Sequence, residues 1–258
     1  MYLVFDIGRT NTRIAVSQDG KNLDEVETTN TLENFPEAIS SFKKIALKLT
    51  KGQKITKAVG GVRRLNHPTI PLWVGEPLKE TLEKSLETAV YLENDSALAG
   101  LAEATVGAGK GKKIVAYITV STGIGGVRIV SGKIDANSQG FEPGNQIINL
   151  EMGQTLESYI SGDAIQKKFN QKAEQVKDSN FWDDTAKILA IGLNNTIVFW
   201  SPDVVVLGGS VTESILIDKV KLYLKDLLQI YPQIPEVVRA GLGDKGGLLG
   251  CLAYLNQL

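Results

Sequence analysis

The stretch that most constrains the fold is Lys113–Arg128, KIVAYITVSTGIGGVR. An apolar, β-rich run over Ile114–Val120 ends in Ser121, Thr122 and three glycines within four positions, and a second apolar run begins at Val127. This pattern predicts a strand, a tight polar turn and a second strand. A glycine-rich turn can direct several N–H groups and two hydroxyls at one small volume, which suits a phosphate. An ordinary hairpin explains the same residues, so the rest of the chain must decide.

The composition describes a globular protein without a strong charge bias. The chain has 258 residues, of which 43% are hydrophobic and 22% are charged, and its formal net charge is −1. This length allows one large domain or two lobes. Because there is no basic excess or basic run, we expect no nucleic-acid partner. No apolar run is long enough to span a bilayer, and MYLVFDIGRT lacks the charged region of a signal peptide, so we expect no membrane partner and a cytoplasmic location.

The metal-ligating residue types are scarce. The single cysteine, Cys251, excludes an internal disulfide and a cysteine-rich zinc site, and the leucines around it predict a helix core. The single histidine, His67, precedes a proline and has no second histidine or cysteine to bind zinc with. We expect it at the surface.

Both halves of the chain have the same order of elements, a three-strand meander followed by alternating helices and strands. The pattern predicts an α/β protein of two similar lobes with a ligand cleft between them. The predicted meanders are Tyr2–Phe5, Thr12–Val16 and Glu25–Thr29 in the first half and Ile114–Val120, Val127–Val130 and Lys133–Ala136 in the second. The second half also carries predicted helices at Leu156–Phe169, Trp182–Trp200 and Ile215–Leu228.

Each half opens with a polar turn at its first hairpin, Asp6–Thr10 in one and Ser121–Gly126 in the other. Two such turns facing each other could grip the β- and γ-phosphates of a nucleotide. Asp6 would then hold Mg²⁺ through water, because Mg²⁺ keeps several waters and takes few carboxylates. The alternative is that Asp6 caps a turn.

Two further strand-to-helix turns carry polar or glycine residues. Asn94 and Asp95 follow a buried strand, where they could cap the next helix or supply a general base, and both roles are compatible. Gly208, Gly209 and Ser210 follow the apolar run Val204–Leu207 and form a turn of the kind that accommodates a nucleotide. Each signal alone is weak.

Together these segments resemble the repressor–open reading frame–kinase (ROK) family of sugar kinases, within the actin-like ATPase superfamily. They occur in the family's order from residue 4 to residue 251, and a shared order of seven segments is a strong signal. In chain order they are the first phosphate loop DIGRTNTRIAV, the Asn-Asp catalytic segment ENDSALAGLAEA with its later glutamate Glu103, the second phosphate loop ITVSTGIGGV, the sugar-contacting GFEPGN and LESYISGDAI, the adenosine loop PDVVVLGGSV and the closing helix GLGDKGGLLGC.

The resemblance implies a fold, an activity and a set of site residues. The fold is the two-lobed actin-like ATPase (ribonuclease H-like) fold, with a small lobe at 1–108, a large lobe at 109–258 and a last helix that packs back on the small lobe. The activity is ATP- and Mg²⁺-dependent phosphorylation of a hexose or N-acetylhexosamine, as in glucokinase. Asp95 would be the general base and would bind the sugar with Asn94, Glu142 and Glu157, while Asp6, Gly8, Arg9, Thr10, Thr122, Gly123, Gly208 and Gly209 would bind the nucleotide and its Mg²⁺.

Two departures from the family pattern affect these expectations. Many members hold a zinc ion with a histidine and three cysteines, and those positions are Asn145, Ile148, Leu150 and Thr155 here. We therefore expect no zinc, and packing in its place to hold the loop between the two sugar glutamates. Arg9 replaces a usual glycine of the first phosphate loop, where it either supplies charge to the phosphates or crowds them.

Other features leave alternatives open. The asparagine often found before a Leu-x-Trp-like stretch is not evident in Pro71-Leu72-Trp73, which leaves one sugar contact without its residue. No helix-turn-helix segment precedes the first strand, so we expect the kinase branch of the family. The rivals are a degenerate, non-catalytic sugar- or nucleotide-binding protein and an actin-like kinase with a non-sugar acceptor. The sugar, the donor (ATP or polyphosphate) and a possible homodimer stay open.

Overall fold

A computed structural model of the chain describes residues 1–63 and 73–258. Two compact units make up this part: the first comprises Met1–Ala102 and Asp244–Leu258, and the second comprises Glu103–Gly243. Each unit contains one five-stranded mixed sheet, and the predicted α/β class is confirmed. His67 and the Pro71-Leu72 stretch lie outside the described residues.

The first unit is built on a sheet with strand order β3-β2-β1-β4-β5. Its strands are β1 (Tyr2–Ile7), β2 (Asn11–Ser17), β3 (Glu25–Asn30), β4 (Lys57–Val62) and β5 (Val90–Asn94). Its helices are α1 (Phe35–Thr50), α2 (Leu78–Leu86), α3 (Asp95–Thr105, whose last residues belong to the second unit) and α8 (Gly246–Leu255). The first three strands form the predicted antiparallel meander, whereas β1, β4 and β5 are parallel. Their carboxyl ends therefore lie along one edge of the sheet.

The second unit repeats this plan with strand order β12-β11-β6-β7-β8. Its strands are β6 (Ile114–Val120), β7 (Ile124–Val130), β8 (Lys133–Ile134), the separate hairpin β9 (Ile147–Asn149) and β10 (Gln154–Thr155), β11 (Val204–Gly208) and β12 (Glu236–Arg239). Its helices are α4 (Leu156–Ile160), α5 (Gly162–Phe169), α6 (Ser179–Trp200) and α7 (Ile217–Leu227). The β6-β7-β8 strands are antiparallel, and β11 pairs in parallel with β6 and β12.

Helix α1 shows how the first core forms. The side chain of Asn34 caps it by accepting a hydrogen bond from the N–H of Glu37 at 3.0 Å, and Pro36 occupies the first turn. The ring of Phe42 meets that of Phe5 edge-to-face at 4.9 Å between centroids. The predicted apolar face is confirmed, since the residues that form it are buried: Phe35, Ile39, Phe42, Ala46 and Leu49.

Helix α8 packs against β1 and β4, and two of its glycines allow close contacts, one with α3 and one with Asp6 on β1. A Cβ at Gly250 would overlap the carbonyl of Leu98, and a Cβ at Gly247 would lie 3.2 Å from the carboxylate carbon of Asp6. Cys251 is fully buried with its Sγ 3.4 Å from the carbonyl oxygen of Phe5, and burial raises the pKa of its thiol. The predicted packing role of this cysteine is confirmed.

The glycine-rich turn is shorter than predicted. We expected a turn over Ser121–Gly126, but β7 begins at Ile124, so Gly125 and Gly126 lie inside a strand. A Cβ at Gly126 would lie 2.7 Å from the carbonyl oxygen of Tyr117 and 2.8 Å from the ring of Pro143. This glycine therefore serves close packing and not a turn.

Two predicted helices of the second unit differ from the structure. The stretch Leu156–Phe169 forms two helices, because Ser161 is extended and its hydroxyl caps α5 through the N–H of Ala164 at 3.1 Å. The helix predicted at Ile215–Leu228 is continuous but shorter, Ile217–Leu227, and a short 3₁₀ helix precedes it. The apolar periodicity continues through Ser161, so it could not reveal the break there.

Glu103 is a buried charged residue with no cation beside it among the described residues. Its side chain is 2% exposed and accepts three backbone hydrogen bonds, from Gly241 and Leu242 at 2.9 Å each and from Ala108 at 2.8 Å. A Cβ at Gly107 would overlap the same carboxylate. The glutamate that the resemblance assigns to the catalytic segment thus ties three chain segments of the second unit together.

Candidate active site

The first polar turn connects β1 to β2. The N–H of Gly8 donates to the carbonyl of Asn11 at 3.0 Å, and Arg9 and Thr10 are exposed at the tip. Thr31, directly after β3, supports this loop from the side. Its N–H donates to the carbonyl of Thr10 at 2.9 Å and its hydroxyl donates to the carbonyl of Gly8 at 2.7 Å. The loop that was predicted to hold phosphate is therefore held in one conformation by backbone contacts.

Asp6 lies at the carboxyl end of β1 in an electrostatically mixed environment. The guanidinium of Arg13 lies 3.5 Å from one of its oxygens and 3.3 Å from the carboxylate of the exposed Asp244. Burial, followed by the negative charge of Asp95, raises the pKa of Asp6 from 3.8 to about 6, while Arg13 opposes the rise. Asp6 and Asp95 thus repel each other, which is an environment that favours a cation.

Asn94 and Asp95 both accept hydrogen bonds at the start of α3, but from different residues. The Oδ1 of Asn94 accepts from the N–H of Ala97 at 3.1 Å, so Asn94 is the helix cap. The Oδ1 of Asp95 accepts from the N–H of Ser96 at 2.6 Å and from its hydroxyl at 3.2 Å. The Oδ2 of Asp95 has no hydrogen bond to any described residue. Ser96 therefore holds one oxygen of the Asp95 carboxylate, and the other oxygen is left for other chemistry.

Gly61 lies beside both acidic residues. It pairs with Asp6 across β1 and β4, and a Cβ at this position would lie 3.2 Å from the side chain of Leu98, 3.4 Å from Oδ1 of Asp6 and 3.5 Å from the Cα of Asp95. The tightest of these contacts is with Leu98, so this glycine chiefly allows α3 to pack closely on β4. Neither Gly61 nor Arg13 was predicted as a site residue, although Arg13 could have been found from its register opposite Asp6 in the hairpin.

The raised pKa of Asp6 predicts a stability gain on neutralisation. Ionising this carboxyl is less favourable in the folded than in the unfolded chain. The stability that the neutral Asp6 carboxyl contributes is therefore fully present below pH 4 and is lost as the pH rises through about 6. In a chelator-treated buffer at pH 8, the free energy of unfolding of Asp6→Asn should be about 2–3 kcal/mol higher than that of the wild type. This difference should vanish near pH 4.

Urea unfolding of both proteins at several pH values measures this difference. Glu33→Gln, which neutralises an exposed carboxylate of the same unit, is the control and should follow the wild type. Equal stability of Asp6→Asn and wild type from pH 4 to pH 8 would contradict the electrostatic description.

The second polar turn, Ser121–Gly123, is anchored to the start of α5. The N–H of Gly162 donates to the carbonyl of Ser121 at 2.6 Å, and the N–H of Asp163 donates to the carbonyl of Thr122 at 3.0 Å. Gly162 is required there, because its Cβ would lie 2.9 Å from the carbonyl oxygen of Ser121. The turn is thus a rigid loop with Thr122 and Gly123 partly exposed.

The two predicted sugar glutamates approach the same end of β7. The Oε2 of Glu157 accepts from the N–H of Ile124 at 2.6 Å. Glu142 is exposed, and its Oε2 accepts from the side-chain amide of Asn145 at 3.3 Å. A Cβ at Gly144 would overlap the carbonyl of Ile124. Ile124, which directly follows the second phosphate loop, therefore bonds to Glu157 and packs closely against Gly144, two residues after Glu142.

The loop from Glu142 to Glu157 is held only in part as we expected. We predicted packing, but the side chains of Ile147, Leu150 and Met152 are 58%, 87% and 68% exposed. Side-chain amides also hold the loop: Gln146 bonds to Asn195 on α6 at 2.9 Å. Packing contributes at Pro143 and Gly144, which are buried, and at Ile148, which packs against the core. The expectation was therefore incomplete, because it did not include the side-chain amides.

The predicted adenosine loop leaves β11 next to the second phosphate loop. Gly209 has φ +91°, and a Cβ on it would overlap the carbonyl of Val120. The hydroxyl of Ser210 lies 3.4 Å from that of Ser121. Thr212 is buried and its hydroxyl donates to the carbonyl of Gly208 at 2.5 Å. The second unit therefore brings both predicted nucleotide-binding loops together.

The described residues contain neither a cluster of metal-ligating side chains nor a membrane-spanning helix. Within residues 1–63 and 73–258, no group of three or more histidine, cysteine, aspartate or glutamate side chains is arranged to hold a metal ion. No helix in that part of the chain is both long and apolar enough to cross a bilayer.

Solved structures define the class of protein. A ROK hexokinase from Thermus thermophilus superposes with a TM-score of 0.84 at 26% identity, covering 99% of this chain and 98% of that chain. A ROK family glucokinase from Streptomyces griseus, in complex with glucose and AMPPNP, matches in fold with a TM-score of 0.80 at 21% identity over 100% and 99% of the two chains. The fold is the two-lobed actin-like ATPase fold.

The family follows from the sequence comparison. The model of the ROK family matches residues 2–257, and the chain belongs to that family. It is similar to a protein named glucokinase from Thermotoga maritima, with 25% identity over 98% of this chain and 96% of the relative. It is also 26% identical to a protein named N-acetyl-D-glucosamine kinase from Vibrio atlanticus, over 99% of each. The resemblance read from the motifs is confirmed.

Proposed function

We propose that the chain is an ATP-dependent sugar kinase that transfers the γ-phosphate to a hydroxyl of a hexose or N-acetylhexosamine, as a glucokinase does. Its membership of the ROK family supports a sugar phosphotransferase, since relatives over nearly its whole length are named glucokinase and N-acetyl-D-glucosamine kinase. The observation that carries the proposal is a fixed carboxylate, Asp95, next to Asp6 at the carboxyl edge of parallel strands.

Asp95 is the proposed general base. Its Oδ1 is held by Ser96, so its Oδ2 can take the proton from the sugar hydroxyl that attacks the γ-phosphate. Asn94 uses its Oδ1 to cap α3, which leaves its side-chain N–H groups to donate to the sugar. Phosphoryl transfer asks mainly for positioning and charge stabilisation, and a rigid helix start provides the positioning.

The remaining site residues have proposed binding roles. Glu142 and Glu157 would accept hydrogen bonds from sugar hydroxyls, since a carboxylate can accept several at once. The phosphates would be bound by Gly8, Arg9, Thr10, Thr122 and Gly123, and the adenosine would be flanked by Gly208 and Gly209. The proposed small and large lobes, 1–108 and 109–258, cytoplasmic location and homodimer stay predictions.

The residues fit Mg²⁺ and do not fit zinc. Asp6 offers carboxylate oxygens near the negative charge of Asp95; burial, followed by that charge, raises its pKa to about 6, and it would hold Mg²⁺ through water. Bound Mg²⁺ supplies neutralisation of the charge on the phosphates. At the family's zinc positions, Asn145, Ile148, Leu150 and Thr155 offer no thiolate or imidazole. We therefore predict no stoichiometric zinc, which elemental analysis of the purified chain measures.

A coupled assay of ADP release tests the proposal. The acceptors are glucose, mannose, fructose, N-acetylglucosamine and N-acetylmannosamine, each with Mg²⁺-ATP, and polyphosphate is the second donor, followed by sugar-phosphate formation. We expect turnover of at least one hexose or N-acetylhexosamine with ATP. Turnover of none would contradict the proposal and favour either a non-catalytic binding protein or a kinase with a non-sugar acceptor; calorimetric titration of sugars and ATP would separate these two.

A further inference from the structure

Gln146 is at the centre of the loop between the two proposed sugar glutamates. Its side-chain Nε2 donates to the carbonyl of Pro143 at 2.8 Å and to the carbonyl of Gly192 on α6 at 3.3 Å. Its Oε1 accepts from the side-chain amide of Asn195 at 2.9 Å, and its backbone carbonyl accepts from the N–H of Leu156 at 3.0 Å. Both donors of the amide and its acceptor are therefore used.

The partners of Gln146 adjoin both glutamates. Pro143 follows Glu142 directly, and Leu156 precedes Glu157 directly. One residue thus connects the chain beside each carboxylate, and α6 provides the fixed support. Helix α6 is suited to this task, because its other face carries Leu189, Leu193 and Ile197 into the core of the second unit.

We propose that Gln146 is a positioning residue for sugar binding. Its side-chain amide fastens it to Pro143 and to α6, and its backbone carbonyl holds Leu156. Together these contacts, here called the amide bracket, set the separation of the Glu142 and Glu157 carboxylates. This inference rests on the proposed function for its consequence in catalysis. The contacts themselves belong to the second unit and do not depend on it. A polyol is recognised by several convergent acceptors at once, so a shift of one carboxylate relative to the other weakens the whole set.

A second amide bracket in the same loop provides a contrast. The Nδ2 of Asn149 donates to the hydroxyl of Tyr159 at 3.1 Å, and that hydroxyl donates to the side chain of Gln154. These contacts fasten the β9–β10 hairpin to α4. None of them joins the chain next to Glu142, so loosening this bracket should leave the spacing of the glutamates unchanged.

Gln146→Met tests the proposal, because methionine has a similar length but lacks the donors and the acceptor of the side-chain amide. The backbone carbonyl of residue 146 then remains, but its side chain no longer fastens it to α6. We expect the KM for the sugar and its calorimetric Kd to rise about 10- to 100-fold, the loss typical of a displacement of about 1 Å at a binding site. The kcat at saturating sugar and the KM for ATP should stay within about threefold of wild type. A purely structural role would instead lower activity and thermal stability together without this split.

Gln154→Met is the matched control, since it makes the same chemical change in the same loop at the other bracket. It should leave the sugar KM within about threefold of wild type. An equal rise of the sugar KM in both variants would overturn the proposal, as would a normal sugar KM in Gln146→Met. If Gln146→Met does not fold, Asn195→Leu removes the support on α6 and should show the same split.

Hydrogen exchange separates failure of this inference from failure of the proposed function. In Gln146→Met, the amide of Leu156 should exchange at least tenfold faster than in wild type, whereas Gln154→Met should not change it. If the wild type phosphorylates no sugar, the proposed function fails. The exchange rates still show whether the side chain of Gln146 holds the chain beside Glu157 in place. Unchanged exchange at Leu156 would overturn the inference, whatever the activity.

Discussion

Asp95→Asn is expected to lower kcat about 10²- to 10⁴-fold, the range measured for loss of a general base. Asparagine cannot accept the proton of the sugar hydroxyl, but its side-chain oxygen can still accept the hydrogen bonds that Ser96 donates to Asp95. Asn94 continues to cap α3, so the local backbone should stay in place. We therefore expect little change in the KM for sugar and ATP.

The measurement is steady-state kinetics on the sugar that the wild type phosphorylates best, with thermal unfolding as the test of folding. Asp178→Asn is the matched control, because Asp178 caps α6 and asparagine is an equally good cap. It should have wild-type kcat. Near-normal turnover by Asp95→Asn would remove Asp95 from the mechanism, while a loss of both turnover and stability would indicate that its role is structural.

The meeting of Asp6 and Asp95 was predictable from the sequence in part. Both follow apolar strands of an α/β pattern, and the carboxyl ends of parallel strands meet at one edge of a sheet. The consequence of that meeting was not predictable, because it depends on burial and on the guanidinium of Arg13. The place of Gly61 beside Asp6 likewise depends on the register between β1 and β4, which the sequence does not reveal.

Strand and helix patterns identified the elements better than their interruptions. The hydrophobic periodicity predicted α1 and α6, because each of these helices buries an apolar face. It missed the break at Ser161, because a side-chain cap ends the first helix there while the apolar periodicity continues. It also missed the strand position of Gly126, which reflects contacts with Tyr117 on the paired strand and with Pro143 that the sequence does not reveal.

The support of the glutamate loop shows the same limit in functional terms. The absence of cysteines predicted that something other than zinc holds the loop, and the proposed substitute, packing, is only part of what the structure shows. Gln146 and Asn195 lie 49 residues apart, and neither belongs to a recognisable motif. Polar amides far apart in sequence carry no periodicity, so their pairing becomes visible only once α6 is in position.

Glu103→Ala is expected to destabilise the second unit by about 3–5 kcal/mol. The carboxylate is 2% exposed and accepts three N–H groups, each of which would lose a charged acceptor. Hydrogen bonds to charged groups contribute about 1.5–3 kcal/mol each. Ala108 and Gly241 are exposed residues whose N–H groups can bind water in the variant, so the expected loss is smaller than the sum of three such bonds. Glu103→Gln should cost less, because its amide oxygen can still accept from Gly241 and Leu242.

Urea unfolding followed by fluorescence of Trp182 and Trp200, both in the second unit, measures this effect. Glu174→Ala, which removes an exposed glutamate of the same unit, should stay within about 0.5 kcal/mol of wild type.

The contact between Gly107 and the Glu103 carboxylate allows a double-mutant cycle. Gly107→Ala should cost less in Glu103→Ala than in wild type, because the carboxylate oxygen at 2.2 Å is then gone and only the backbone Cα of residue 103, at 2.9 Å, still crowds the new Cβ. Full additivity of the two changes would contradict this packing, and a Glu103→Ala cost below 1 kcal/mol would show that the three N–H groups find other acceptors.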